Sequence, residues 1–207
     1  MIIGICGFIG CGKDTVADYL INQHGFQRES FASTLKDAVS AVFGWDREML
    51  EGRSKEARLA REEVDEWWAK KLNMPSLTPR WVLQYWGTEV ARKSFHDSIW
   101  VHSLERKLLD STSDVVITDC RFPNEVKTIK EAGGQVVWVQ RGAMPDWLDA
   151  ARAANEGEVW GINTMNVLEI HSSEWSWLNT NFDHILDNNY DLTHLYDQIE
   201  SILEVCN

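Results

Sequence analysis

No apolar run in this 207-residue sequence approaches the ~20 residues that a membrane span requires, so neither a transmembrane protein nor a membrane partner is expected. Cysteine is scarce. Cys6, Cys11, Cys120 and Cys206 show none of the paired short spacings that zinc sites use, and nothing suggests secretion, so they read as reduced cytoplasmic thiols. The opening stretch MIIGICGFIG lacks a basic flank and runs straight into Lys13-Asp14, which reads as a buried strand rather than a signal peptide. Basic residues are also short, 20 Lys and Arg against 32 Asp and Glu. The resulting net charge of -12 repels a polymeric phosphate backbone, so direct nucleic-acid binding is not expected.

What is present is ordinary globular material, with 44% hydrophobic and 25% charged residues and neither repeats nor low complexity. The length fits a single domain, 1–207, with at most an inserted lid. Eleven tryptophans are unusually many, and the default reading places them in the core or along a cleft. Apolar runs at Met1–Cys6, Asp114–Thr118 and Gln135–Gln140 read as strands, and Gln27–Phe31 and His184–Leu186 as two further short strands. Helical patterns alternate with them: Thr15–Asn22, Ser33–Phe43, a charged stretch Asp46–Leu72, a helix opened by Thr78-Pro79, another opened by Pro123 and closed by Gly133-Gly134, and Leu192–Val205. From Arg141 to Asn181 no period is sustained, and residues 141–181 read as a loop-rich lid. Strands alternating with helices predict an α/β fold with a doubly wound, mostly parallel sheet.

The segment Gly7-Phe8-Ile9-Gly10-Cys11-Gly12-Lys13-Asp14-Thr15 matches the phosphate loop G-x-x-x-x-G-K-[ST], except that Asp14 takes the hydroxyl position and Thr15 follows it. Its glycines let backbone N–H groups close around phosphates, Lys13 reaches the β and γ phosphates, and the helix dipole favours the same anion. A carboxylate beside a triphosphate repels it unless Mg²⁺ lies near, so metal dependence is expected, with either Asp14 or Thr15 as the ligand.

Phosphoryl transfer needs further cations. Asp119-Cys120-Arg121-Phe122-Pro123-Asn124-Glu125 falls at the carboxyl end of a predicted buried strand, where doubly wound sheets place ligands. Asp119 could hold a metal-bound water or orient an acceptor, and Arg121 could bridge donor and acceptor phosphates; an internal Asp119–Arg121 pair capping the helix is the alternative. Arg80 opens a helix of mixed aromatic and polar character suited to a nucleobase and its phosphate, or else simply packed through its tryptophans. Arg58 and Arg61 lie in a charge-dense helix whose default is a solvated face. Arg141 follows a strand and either grips phosphate or caps the sheet edge. His171-Ser172-Ser173-Glu174 either couples the lid to nucleotide or forms a local cap.

Taken together, Gly12 to Thr15, Leu35-Lys36-Asp37, Thr78-Pro79-Arg80 with Leu83-Gln84 and Gly87-Thr88-Glu89, Trp100, Asp119-x-Arg121-Phe-Pro-Asn-Glu125 and His171-x-Ser173-Glu174 resemble the deoxynucleoside monophosphate kinases of tailed bacteriophages. The resemblance covers nearly the whole chain. It implies a P-loop fold and transfer of the ATP γ-phosphoryl group to a deoxynucleoside 5′-monophosphate, in the host cytoplasm. It also implies that Gly10, Cys11, Gly12, Lys13, Asp14, Thr15 and Arg141 bind ATP, with Mg²⁺ on Asp14 or Thr15. Lys36, Arg58 (with Arg61 a competitor), Arg80, Gly87, Thr88, Trp100, Asp119, Arg121 and Glu125 would bind the acceptor, in part through a helical insertion at about 46–100. Lys13, Arg121 and Asp119 would be catalytic. A homodimer is the default assembly. Two other readings fit the loop: a kinase for another small phosphorylated acceptor, such as phosphomevalonate, and a non-catalytic ATP-binding module.

Overall fold

The computed structural model describes residues 1–109 and 112–206, apart from the side chain of Cys206, so the reading of that thiol falls outside the described residues. The chain divides into two compact units, Met1–Ser30 with Ser111–Asn207, and Phe31–Asp110. Among the described residues no helix is long and apolar enough to cross a membrane.

The first unit begins with β1 (Ile2–Cys6), α1 (Lys13–His24) and β2 (Gln27–Glu29). Helix α1 ends where Gly25 takes a left-handed conformation, its N–H donating to Ile21 O while Phe26 N–H donates to Leu20 O, so the last carbonyls of the helix are satisfied. The second unit holds α2 (Ser33–Phe43), α3 (Arg47–Glu51), α4 (Lys55–Glu62), α5 (Glu66–Leu72), α6 (Pro79–Gln84), a π-helical continuation over Tyr85–Lys93, and α7 (Ile99–Leu108). The chain then re-enters the first unit with β3 (Val115–Ile117), α8 (Pro123–Glu131), β4 (Gln135–Gln140), α9 (Leu148–Asn155), α10 (Val159–Val167), two 3₁₀ turns (Ser172–Glu174 and Ser176–Asn179), β5 (His184–Asp187) and α11 (Leu192–Cys206).

The five strands form one sheet in the order β2-β3-β1-β4-β5, and every pairing is parallel, with Ile3 opposite Val116 on one side and Gln135 on the other. This is the doubly wound sheet predicted from the alternation of strands and helices. Strands β1, β3 and β4 are buried along nearly their whole length, which is why they read as unbroken apolar runs. One face of the sheet packs on α1 and α11 through Val16, Leu20, Leu195 and Ile199. Because all strands run the same way, their carboxyl ends emerge at one edge and deliver Gly7, Ser30, Asp119, Arg141 and Asn188 to it.

One expectation is corrected here. Residues 141–181 are not loop-rich, for α9 and α10 stand there as a tightly packed pair. The buried face of α9 consists of Ala150, Ala151 and Ala153, and a Cβ on Gly161 of α10 would collide with the α9 backbone at 2.5–2.6 Å. Small residues let these helices approach closely without the Leu or Val periodicity that marks a helix in sequence.

The second unit packs around Leu35, Val39, Leu50, Leu77 and Val82, with Trp45, Trp68, Trp86 and Trp100 half-buried against them. Two of these indole N–H groups are satisfied within the unit: Trp45 Nε1 donates to Asp65 Oδ2 at 2.7 Å and Trp68 Nε1 to Phe43 O at 2.9 Å.

Candidate active site

Gly7, Gly10 and Gly12 have φ of 151°, 79° and 102°, so the chain between β1 and α1 follows a path that L side chains resist. Inside this loop the Lys13 ammonium donates to Gly7 O at 2.8 Å and Phe8 O at 2.9 Å, at the N-terminus of α1. Burial lowers the Lys13 pKa from its ordinary value; Arg121 lowers it further, and Cys11, Glu174 and Asp14 oppose the change. Lys13 and Arg121 therefore share one electrostatic neighbourhood, although 108 positions separate them in sequence. Cys11 is buried beneath the loop, and that burial pushes its thiol above the ordinary value. Thr15 is half-buried on the first turn of α1.

Asp14 points elsewhere. Its Oδ1 accepts from Arg28 Nη1 of β2 at 2.9 Å, and the same guanidinium reaches Asp18 Oδ1 at 2.6 Å. Sequence reasoning did not single out Arg28, and no motif would have done so. Nor did it find Asn188, which follows β5. This buried amide donates from Nδ2 to Cys11 O at 2.8 Å, while its main-chain N–H donates to Gln140 O.

After β3, Asp119 Oδ2 accepts from Ser30 Oγ at 2.7 Å, joining the ends of two neighbouring strands. Glu125 is 3% exposed, and its Oε2 accepts from the main-chain N–H groups of Arg121 (2.7 Å) and Phe122 (3.1 Å). It thus shapes the turn that presents Arg121. The Arg121 guanidinium reaches the 3₁₀ turn instead, with Nη1 2.9 Å from Glu174 Oε1. That turn is capped by His171, whose Nδ1 accepts from Ser173 N–H, so the local cap expected in this segment exists with histidine as the capping residue. Arg141 is exposed directly after β4. Among the described residues no group of three or more His, Cys, Asp or Glu side chains could hold a metal ion.

The second unit gathers the remaining predicted residues. Lys36 Nζ donates to Glu51 Oε2 at 2.8 Å, and Arg47 Nη1 to Glu51 Oε1 at 2.5 Å. Burial alone would raise the Glu51 carboxyl, but these hydrogen bonds and charges bring it down to about 2. Arg58 is exposed on α4, as expected of a solvated face, whereas Arg61 is half-buried. Arg58 Nε donates to Gly52 O at 2.9 Å and Arg61 Nη1 to Leu50 O at 3.3 Å, bracing the end of α3. Arg80 pairs with Glu62 Oε1 at 3.2 Å. Gly87 and Thr88 are buried in the π-helical segment, a rare conformation that recurs at functional sites, and Trp100 Nε1 donates to Gly87 O at 2.8 Å.

A "Putative deoxynucleotide monophosphate kinase" of Acanthamoeba polyphaga mimivirus is 31% identical over 216 residues, covering 99% of this chain and 96% of its own length. The chain belongs to the deoxynucleoside monophosphate kinase family. A second relative in the family, the deoxynucleoside-5′-monophosphate kinase of Escherichia phage T5, is 31% identical over 180 residues, covering 63% of this chain and 72% of its own. No family model matches the chain. Among solved structures, TT1252 from Thermus thermophilus covers all of this chain and 98% of its own at TM-score 0.46 and 18% identity. A dephospho-CoA kinase from Campylobacter jejuni covers 99% and 96% at TM-score 0.45 and 17% identity.

Proposed function

We propose that this protein transfers the γ-phosphoryl group of ATP to a deoxynucleoside 5′-monophosphate, giving the diphosphate and ADP. The observation that carries the reading is the pairing of a lysine set inside a glycine loop at a helix N-terminus with an arginine from the next strand end but one. Two cations in one electrostatic neighbourhood suit a transition state that spreads charge over equatorial oxygens. Family membership supports the acceptor class.

In this reading Gly10, Cys11, Gly12 and Lys13 cradle the triphosphate, with Arg141 at its margin. The hard oxygen donors Thr15 and Asp14 fit Mg²⁺, which supplies charge neutralisation on the phosphates when bound. Thr15 is the better placed of the two, because the Asp14 carboxylate is already held by Arg28. Lys36, Arg58 or Arg61, Arg80, Gly87, Thr88 and Trp100 receive the acceptor. Arg121 stabilises the transferring group, with Asp119 orienting the acceptor and Glu125 fixing the turn. No general base is required, since the attacking phosphate oxygen is already anionic at neutral pH.

A coupled ADP-release assay with ATP, Mg²⁺ and each common deoxynucleoside and ribonucleoside monophosphate tests the reading. Turnover with at least one deoxynucleoside monophosphate is expected; ADP release that no monophosphate stimulates would overturn it.

A further inference from the structure

We propose that Glu174 is the positioning residue for Arg121, gripping one end of the guanidinium and leaving the rest of the fork to the group being transferred. The inference rests on the kinase reading above and adds to it a residue that acts through Arg121 rather than on substrate.

The geometry is asymmetric. Only Nη1 of Arg121 is engaged, by Glu174 Oε1 at 2.9 Å and Ser173 O at 3.4 Å; among the described residues Nη2 and Nε make no hydrogen bond. Those two nitrogens form the edge of the fork that binds a phosphate bidentately. The carboxylate is the anchored member of the pair, 17% exposed against 40% for the arginine side chain. Its anchor runs into the core. Glu174 closes a 3₁₀ turn in which the Ser173 N–H donates to His171 Nδ1 at 3.2 Å, with Ser173 Oγ 2.8 Å from the same nitrogen. The Glu174 carbonyl accepts from Trp177 Nε1 at 3.1 Å, and Trp177 is 1% exposed.

The other end of Arg121 is held as firmly, because Glu125 accepts from its main-chain N–H at 2.7 Å. An arginine has several rotatable bonds, and fixing both ends before substrate arrives removes ordering that would otherwise oppose the transition state. A carboxylate placed on both faces of the fork would instead compete with phosphate. The single-nitrogen grip avoids that competition.

The test is a double-mutant cycle on wild type, Glu174→Ala, Arg121→Ala and the double variant, with Glu174→Gln as the conservative change, read as kcat and KM in the ADP-release assay with thermal melting alongside. Glu174→Ala should lower kcat about tenfold or more while both KM values move less than about threefold, and should have no further effect once Arg121 is alanine. Glu174→Gln, which keeps an oxygen acceptor, should recover most of the loss. Effects that add across the cycle, a lowered melting temperature with kcat unchanged, or faster turnover would each overturn the proposal, the last by showing that Glu174 competes with phosphate. Wild-type protein that turns over no monophosphate condemns the kinase reading instead. The coupling is then read as thermal stabilisation by MgADP with aluminium fluoride, a mimic of the transferring group: Glu174→Ala must weaken it only where Arg121 is present, and the proposal fails if it does not.

Discussion

Arg28 on β2 holds Asp14 of the phosphate loop at 2.9 Å and Asp18, one turn further along α1, at 2.6 Å. One guanidinium thus offsets two carboxylates beside the proposed triphosphate site. Removing it leaves their charge facing ATP. Arg28→Ala should therefore raise the KM for ATP several-fold, consistent with the ~1 kcal/mol upper range of a solvent-exposed pair, with little change in kcat. Adding Asp14→Asn should restore most of the affinity. Steady-state kinetics at low and moderate salt check both points, and an unchanged KM in Arg28→Ala at low salt would show the pair to be electrostatically idle.

Lys13 makes its hydrogen bonds within the loop it serves, to the Gly7 and Phe8 carbonyls and the Cys11 sulfur, so its role in catalysis can be separated from its role in folding. Lys13→Met keeps the length of the side chain and loses the charge. Turnover should fall by about a hundredfold or more, the usual cost of deleting a preorganised cation or donor at developing negative charge. The melting temperature should shift by only a few degrees. Retention of wild-type turnover would remove the lysine from the mechanism.

The parts of this site that were legible in the sequence are those written in consecutive residues. The loop from Gly7 to Thr15 announces itself because three glycines, a lysine and flanking strand and helix patterns fall within a few turns of chain. Strands β3 and β4 were legible because burial on both faces demands unbroken apolar runs. Helices α9 and α10 were hidden because alanine and glycine carry their packing. Asn188 was hidden for a different reason: its partner Cys11 lies 177 positions away, and only the fold brings the two together. Glu174 stood in a segment the sequence singled out, but its partner Arg121, 53 positions away, was not legible there. The π-helical turn around Gly87 was hidden too, since its side chains would suit an α-helix equally well.

Gly12 and Gly10 both need positive φ, but their surroundings differ. A Cβ on Gly12 would collide with Asn188 Nδ2, the group that ties down Cys11 O, whereas a Cβ on Gly10 would meet nothing within 4 Å. Gly10→Ala should cost only the backbone strain, ~1–2 kcal/mol. Gly12→Ala should cost more, and should also weaken ATP binding by displacing Asn188 from the loop. Urea denaturation of the two variants side by side decides the order; equal losses would mean that the Asn188 contact yields without cost.

Glu51 gives a pH signature that belongs to the helical unit alone. Lys36 and Arg47 each donate to one of its oxygens, and together they outweigh burial, so its carboxyl titrates at about 2 rather than at its ordinary 4.5. A carboxyl whose pKa is lower in the folded chain than in the unfolded one stabilises the fold above the unfolded value, and that contribution disappears as pH falls through the folded value. Wild type should therefore be more stable than Glu51→Gln at neutral pH, and the gap should narrow between about 4.5 and about 2. Chemical denaturation of both proteins at several pH values across that window measures the gap directly. Lys36→Met should reduce it at neutral pH, because it removes one of the two cations that hold the carboxyl down. A gap that stayed constant through the acid range would show that Glu51 titrates alike in the folded and unfolded chains, and the clamp on Lys36 would then contribute nothing to the stability of this unit.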